Sequence, residues 1–233
     1  MKLTDYLKNT GLLPYGLALV PPAVLIFMVK KYAVEVPFWD EWDYVPLIAA
    51  FRNGTLPFME IWGQWNEHRL LFPGILWLGM SYFTQWNLLY EKMANVALAI
   101  GTFLMLAGQI RRTGISIGNK KTAWLVPWIS WMIFSLNQWD NWLWGAQLCV
   151  FLQIFAFAGC VVFLAKPAGR WPDFWCAAAF GILATFSFGS GMLCWPIGLV
   201  ILGAVLPREK SSLWKIFFWL LVWIIALCFY FYG

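Results

Sequence analysis

The stretch NWLWGAQLCVFLQIFAFAGCVVFLA, residues 141–165, contains no charged side chain and decides the class of fold. A helix needs about 20 apolar residues to cross the roughly 30 Å of hydrocarbon in a bilayer, and this stretch is longer than that. Further uncharged runs lie at residues 11–29, 93–110, 122–139, 174–207 and 216–233. Backbone amides in lipid must be paired within the protein, and no alternating strand pattern is present, so the runs predict helices. The sequence therefore predicts an all-α, polytopic membrane protein.

Composition and charge support the same class. Hydrophobic residues make up 62% of the chain, charged residues 12%, and the mean hydropathy is +0.69. A soluble domain has about 25% charged residues. The net charge of +5 comes from basic residues in short loops, where they orient the protein and contact anionic lipid, so it does not indicate nucleic acid. The cysteines form no CxxC pair and indicate neither a disulfide framework nor a zinc site: Cys149, Cys160, Cys176, Cys194 and Cys228.

One further uncharged segment, residues 70–90, determines the number of crossings. Glycine, proline and polar residues interrupt its apolar content: Pro73, Gly74, Gly79, Ser81, Thr84, Gln85 and Asn87. We predict that residues 70–86 lie along the membrane surface, with Trp77 and Tyr82 near the lipid headgroups.

The resulting topology is a single module, residues 1–233, with about seven transmembrane helices, two of them within residues 174–207. Residues 33–87 form a long external loop with interfacial helices, and residues 88–233 hold the remaining spans. The N-terminus, with Lys2 and Lys8, is then cytoplasmic because most basic residues fall on that side. An arrangement of eight helices with an external N-terminus satisfies the charge rule as well. Seven helices are favoured because they place four polar clusters on one external face: Trp39–Tyr44, Asn66–Arg69, Gln138–Gln147 and Ser187–Gly191.

The first polar cluster contains three carboxylates, Asp40, Glu41 and Asp43, between Trp39 and Trp42. Carboxylates this close repel one another, which is typical of a group that binds a cation or performs acid–base work. The alternative is a solvated external loop.

The second cluster contains the only histidine, His68, between Glu67 and Arg69. Together, His68 and Arg69 are candidates for holding a phosphate. As an alternative, Arg69 extends to the interface and His68 caps the helix that follows.

The third cluster, Asn137–Gln147, interleaves aromatic and polar side chains between two apolar runs. Trp139, Asp140 and Asn141 are candidates for contacts with a sugar or lipid, although an ordinary aromatic belt also explains the tryptophans. For the fourth cluster, Phe186–Gly191, we favour a structural role as a tight turn between two short helices.

The order of these parts resembles the GT-C superfamily of membrane glycosyltransferases, which includes protein O-mannosyltransferases and the lipid A aminoarabinose transferase. Asp40-Glu41 matches the acidic pair near the start of that family's long external loop, and residues 70–86 match a surface helix. The stretches Gln138–Asn141 and Phe186–Pro196 are similar to bacterial members of the superfamily. Because those members are longer, the chain resembles their N-terminal module.

The resemblance implies transfer of a sugar from a polyprenyl-phosphate donor to an acceptor at the outer face, in the bacterial inner membrane. Asp40 then acts as the general base, and His68 and Arg69 bind the donor phosphate. Supporting acids are Glu41, Asp43 and Asp140, and sugar or lipid contacts are Trp39, Trp42, Trp139 and Asn141. The sequence carries no metal signature, so the donor is the only small molecule implied. Membrane lipid and further membrane subunits are the expected partners.

Two other functions remain open. A non-catalytic GT-C-like subunit of a larger membrane assembly has the same sequence features as an enzyme. A lipid or solute carrier is the weakest alternative, because a carrier of charged solute needs ionisable residues within its spans and often has an internal repeat, and the predicted spans contain almost no ionisable residues and no repeat.

Overall fold

The computed structural model describes residues 12–116, 120–166, 170–207 and 209–232. Lys2, Lys8 and residues 117–119 of a predicted inner loop lie outside the described residues. The α-helices are α1 Leu13–Ala18, α2 Val20–Tyr32, α3 Tyr44–Arg52, α4 Phe58–Trp62, α5 Leu71–Phe83, α6 Leu88–Ser116, α7 Leu125–Ile133, α8 Trp139–Leu143, α9 Leu148–Leu164, α10 Trp171–Thr185, α11 Cys194–Val205 and α12 Lys210–Phe231. Strands β1 Gln64–Trp65 and β2 His68–Arg69 form one antiparallel hairpin, which the sequence analysis did not predict.

Four helical segments are long and apolar enough to cross a membrane: Leu13–Tyr32, Leu88–Ile115, Gly145–Leu164 and Ser212–Phe231. They indicate an integral membrane protein and confirm the all-α class. The other predicted crossings contain shorter helices, among them α7 with 9 residues, α10 with 15 and α11 with 12. Helix α5 has 13 residues. Its length of about 20 Å is less than the roughly 30 Å of the hydrocarbon layer.

The chain divides into two compact units, and the first contains residues 12–36 and 88–145 of the described chain. Here α6 begins at Leu88, before the uncharged run at residues 93–110, so that it includes Glu91 and Lys92. Both side chains are buried. The Lys92 Nζ donates to the Val34 carbonyl at 3.0 Å, and Asn95 Nδ2 donates to the Trp144 carbonyl at 3.1 Å. Ionisable residues therefore do occur within a candidate span, contrary to the sequence-based expectation.

The second unit contains residues 37–87 and 146–232 of the described chain, and its core lies between α9, α10, α11 and α12. Trp195 and Trp219 are fully buried with ring centroids 4.9 Å apart. Their indole N–H groups donate to the Thr185 hydroxyl at 2.8 Å and the Trp195 carbonyl at 2.9 Å. A Cβ at Gly198 would lie 2.2 Å from the Trp219 ring, so α11 and α12 approach closely only because this residue has no side chain.

Candidate functional site

The acidic cluster forms a short 3-10 helix, Trp39–Asp43, in the second unit. Asp40 and Asp43 are exposed, whereas Glu41 is only 1% exposed. The Glu41 carboxylate accepts the backbone N–H of Phe38 at 2.8 Å and that of Ala146 at 3.2 Å. Glu41 thus attaches the acidic helix to the segment that leads into α9, while its two neighbouring acids face outward. Glu41 is predicted from the sequence to be a supporting acid, and in the structure its carboxylate anchors the acidic helix.

This geometry predicts that Glu41→Gln destabilises the protein. A carboxamide has one acceptor oxygen, so its NH2 group would face one of the two N–H donors that the carboxylate accepts. Leaving a buried group unsatisfied costs about 1–3 kcal/mol, and we expect that loss in the free energy of unfolding. Thermal unfolding in detergent measures it. Glu67→Gln, at a carboxylate that is 81% exposed, is the matched control and should leave stability unchanged. Equal stability of the two variants would contradict an anchoring role.

Trp39, directly before Asp40, has an unusual backbone conformation. Its φ is +51°, in the left-handed region that bulky residues rarely adopt, and its side chain is 72% exposed. An exposed ring contributes little packing to offset such strain, and strained residues concentrate at functional sites. Trp42 is exposed as well, so both tryptophans stand beside Asp40 on the surface of the unit.

A mostly apolar groove of about 50 Å³ is lined by residues that follow the acidic helix in the chain, beginning with Tyr44. Helices α3, α4 and α5 and the β-hairpin contribute its lining residues: Tyr44, Leu47, Ile48, Glu60, Ile61, Gly63, Trp65, Leu70, Gly74, Trp77 and Leu78. The Tyr44 ring stacks on Trp77 at 4.4 Å between centroids and is tilted against Trp65 at 5.2 Å. Sequence reasoning missed this groove. The sequence does contain a pattern that indicates the groove, because apolar residues recur at helical spacing at positions 44, 47 and 48 and at positions 70, 74, 77 and 78.

Trp77 and Tyr82, both predicted to lie near the headgroups, differ in burial. Trp77 is buried beneath Tyr44, whereas Tyr82 is exposed, and the depth of both in a membrane stays a prediction. The Trp77 indole Nε1 is also buried and has no hydrogen-bond partner among the described residues. A buried N–H donor in the lining of a groove favours a bound group that carries an acceptor oxygen.

Arg69 is 1% exposed and binds the end of α12. Its Nη1 donates to the Trp62 carbonyl at 2.7 Å, and its Nε and Nη2 donate to the Tyr230 and Tyr232 carbonyls. The guanidinium carbon lies 5.1 Å from the centroid of the Trp62 ring. A cation bonded to the last carbonyls of a helix offsets the negative end of the helix dipole. The phosphate-binding role of Arg69 stays a prediction, and three of its nitrogens already have backbone partners.

The hairpin also brings His68 to the fourth cluster. The His68 ring lies 3.9 Å from the Phe188 ring, centroid to centroid, and its Nδ1 is buried without a hydrogen-bond partner in the described chain. A Cβ at Gly189 would lie 2.8 Å from that nitrogen, so only glycine permits this approach. The second and fourth clusters therefore form one arrangement in the second unit.

Residues 137–145 of the third cluster belong to the first unit. Trp139 and Asp140 are exposed, and Asn141 is partly buried, with its backbone N–H donating to the Asp140 carboxylate at 3.0 Å. The neighbouring Trp142 is buried, and its indole N–H donates to the Ser135 carbonyl at 3.0 Å. Asp140 is thus an accessible carboxylate.

Within the ranges that the structure describes, no three histidine, cysteine or acidic side chains lie close enough together to hold a metal ion. The acidic cluster is not such a group, because Glu41 is turned inward. Comparisons of this chain with protein-family models, curated proteins and solved structures find no match. The resemblance to the GT-C superfamily stays a prediction based on the residues.

Proposed function

We propose that this chain is a membrane glycosyltransferase, or the catalytic module of one, that transfers a sugar from a polyprenyl-phosphate donor to an acceptor hydroxyl. The observation that carries the proposal is the placement of Asp40. It is an exposed carboxylate on a helix anchored by buried Glu41, and the helix that follows begins with Tyr44 in the lining of the aromatic groove. An exposed carboxylate on a helix that leads along the chain into a groove of aromatic and aliphatic side chains supports a role as general base toward a substrate with a sugar and a hydrocarbon tail.

In the proposed reaction, the Asp40 carboxylate accepts the proton of the acceptor hydroxyl. The hydroxyl oxygen attacks the anomeric carbon of the donor and forms the new glycosidic bond. The bond between that carbon and the phosphate oxygen breaks, and polyprenyl phosphate leaves with the electron pair. Attack opposite the leaving group inverts the anomeric centre. Among the predicted phosphate ligands, His68 has the unpartnered nitrogen and Arg69 has a guanidinium already bonded to carbonyls.

The proposed topology has about seven crossings, with the N-terminus in the cytoplasm and the external loop, residues 33–87, on the outer face of a bacterial inner membrane. It assigns α5 to the membrane surface, and it assigns α7, α10 and α11, which are also shorter than a full crossing, to the bilayer. The outward face of α5 carries apolar side chains, Ile75, Leu76, Tyr82 and Phe83, whereas Trp77 and Leu78 line the groove. A helix with apolar residues on both faces suits a position between the groove and lipid.

Labelling of single cysteines tests this topology. In a cysteine-free background, Asn137→Cys should react with an impermeant maleimide in intact cells, and Thr113→Cys should react only after permeabilisation. Both side chains are exposed, so access to the reagent depends on the side of the membrane. Faster labelling of Thr113→Cys in intact cells would overturn the seven-helix arrangement.

The function itself is tested with purified protein in proteoliposomes, supplied with a panel of radiolabelled polyprenyl-phosphate sugars and membrane acceptors. We expect transfer with at least one donor and release of polyprenyl phosphate in equal amount. Absence of transfer by the wild-type chain with every donor would contradict the proposal. It would favour the alternative, a non-catalytic subunit that needs other membrane proteins.

A further inference from the structure

A second surface combines aromatic rings with cations and includes none of the residues assigned to sugar transfer. We call it the basic aromatic patch, and its members lie around the start of α10 and the first turns of α12 in the second unit: Lys166, Arg170, Trp171, Trp175, Trp214, Lys215, Phe217 and Phe218. Phe218 is central, with ring centroids 6.0 Å from Trp171, 5.9 Å from Trp175 and 6.1 Å from Trp214. Trp171, Trp175, Trp214 and Phe217 are all exposed.

The exposed cation of the patch is Arg170. Its side chain is 69% exposed, and its Nε donates to the Asp173 carboxylate at 3.0 Å. Lys166 donates to the other oxygen of Asp173 at 2.6 Å. The hydrogen bond from Lys166, and then that from Arg170, hold the pKa of Asp173 below its ordinary value, so the acid is charged at neutral pH. Two cations share one carboxylate, which leaves a net positive charge, and the two Nη groups of Arg170 have no partner among the described residues.

The third cation of the patch, Lys215, is buried near the Trp171 ring. The Lys215 Nζ lies 5.4 Å from the centroid of Trp171, and the side chain is buried on the same face of α12 as Ser212. The Ser212 hydroxyl is also buried and has no hydrogen-bond partner in the part of the chain that the structure describes. The first turn of α12 thus has a buried hydroxyl and a buried cation where the rest of its buried face is apolar, with Trp219, Ala226 and Tyr230. The helix N-terminus adds partial positive charge.

The position of the patch along the candidate spans identifies what covers it. The span Gly145–Leu164 ends two residues before Lys166, and the span Ser212–Phe231 begins beside Trp214. The patch therefore lies where hydrocarbon meets lipid headgroups, the region in which tryptophan and basic side chains are enriched. The exposed rings have room for an apolar cover, and the two Nη groups of Arg170 have hydrogen-bond donors left for an anion.

We propose that the basic aromatic patch binds an anionic phospholipid, with its headgroup phosphate on the Nη groups of Arg170 and its acyl chains against Trp175, Trp214 and Phe217. Charge complementarity selects an anionic lipid over a zwitterionic one. The exposed aromatic rings select a lipid over a free phosphate ion, because a small anion would leave them uncovered. This binding is independent of the proposed glycosyltransferase activity, since it uses none of the residues assigned to transfer.

Native mass spectrometry of the purified full chain, with phosphatidylglycerol or phosphatidylcholine added to the micelles, tests the proposal. We expect preferential retention of phosphatidylglycerol, about fivefold weaker in Arg170→Gln because one basic residue at the surface is lost. Arg170→Lys keeps the charge and should retain most of the binding. Trp214→Ala should weaken retention of phosphatidylglycerol as well, through the acyl chains.

The control is Arg112→Gln, at another exposed arginine, near the end of α6. It should leave retention unchanged, and Lys166 still pairs with Asp173 when Arg170 is replaced, so that Arg170→Gln should fold normally. Equal retention of the two lipids, or an equal loss in Arg112→Gln, would overturn the proposal. Displacement of phosphatidylglycerol by inorganic phosphate would also overturn it, because that result identifies a site for small anions.

Discussion

Asp40→Asn protein is expected to insert and fold like the wild type and to lose sugar transfer by about 100-fold or more. The asparagine has the size of aspartate and lacks the basic carboxylate, so it cannot accept the proton of the acceptor hydroxyl. The assay is the initial rate of transfer in proteoliposomes, at equal amounts of inserted protein. The rate of transfer should fall through kcat rather than through the KM for the donor, because Asp40 acts on the acceptor.

The structure explains why this variant should remain folded. Asp40 is exposed, and its side chain makes no hydrogen bond within the described residues, whereas the acidic helix is held by the Glu41 carboxylate. Asp43→Asn is the matched control, since Asp43 is exposed on the same 3-10 helix. We expect it to cost less than tenfold in the rate of transfer.

Other results would change the assignment. Unchanged transfer by an inserted Asp40→Asn protein would move the general base elsewhere, with the exposed Asp140 the next candidate. An equal loss in the two variants would indicate that the acidic helix acts through its total charge, which attracts a substrate or cation, and not through one base. A loss confined to Asp40→Asn supports the assigned role.

The sequence predicts the fold class well because membrane spanning depends on uninterrupted apolar length, a property visible in one dimension. It predicts the number of crossings less well. Helices α7, α10 and α11 are shorter than the uncharged runs in which they end, at Phe134, Phe186 and Leu206. Hydropathy does not reveal the end of α10, because the 3-10 turn that follows it, Gly189–Leu193, consists of apolar and small residues.

The sequence also predicts poorly which tryptophans are buried. The sequence favours an aromatic belt for the tryptophans near segment ends, among which Trp39, Trp42 and Trp139 are exposed. Trp142, Trp195 and Trp219 instead fill the interior, each with its indole N–H on a protein oxygen. Whether a tryptophan is buried depends on a partner distant in the sequence, such as Gly198 opposite Trp219, and composition holds no information about that partner.

The candidate site could be predicted only as a set of residues. Three adjacent acids have similar sequence contexts, yet the 3-10 turn directs Glu41 inward and leaves Asp40 and Asp43 outside. The groove beyond them requires the hairpin that brings Trp65 opposite His68 and near Tyr44. That hairpin has two residues per strand and Asn66 at a φ of +52°, so it is too short to produce a strand pattern.

The second large effect is expected when Arg69 is replaced. The sequence predicts that Arg69 binds a phosphate, whereas in the structure it binds backbone carbonyls. Three of its nitrogens bind backbone carbonyls, at Trp62 and in the last turn of α12. Arg69→Met keeps an apolar stem beside the Trp62 ring but leaves three carbonyls without that donor. At about 1.5 kcal/mol or more for each hydrogen bond from a charged donor, loss of the three should lower the free energy of unfolding by at least about 3 kcal/mol.

A loss of this size corresponds to a decrease of about 6 °C or more in the midpoint of thermal unfolding for a chain of this length. Arg52→Met is the matched control, because exposed Arg52 donates to one carbonyl, that of Ser81, at 2.8 Å. It should cost about 1 kcal/mol or less. Arg69→Lys, with one compact ammonium, should lie between the two. If Arg69→Met instead unfolds like the wild type and raises the KM for a polyprenyl-phosphate donor, Arg69 binds the donor phosphate and its carbonyl contacts contribute little to stability.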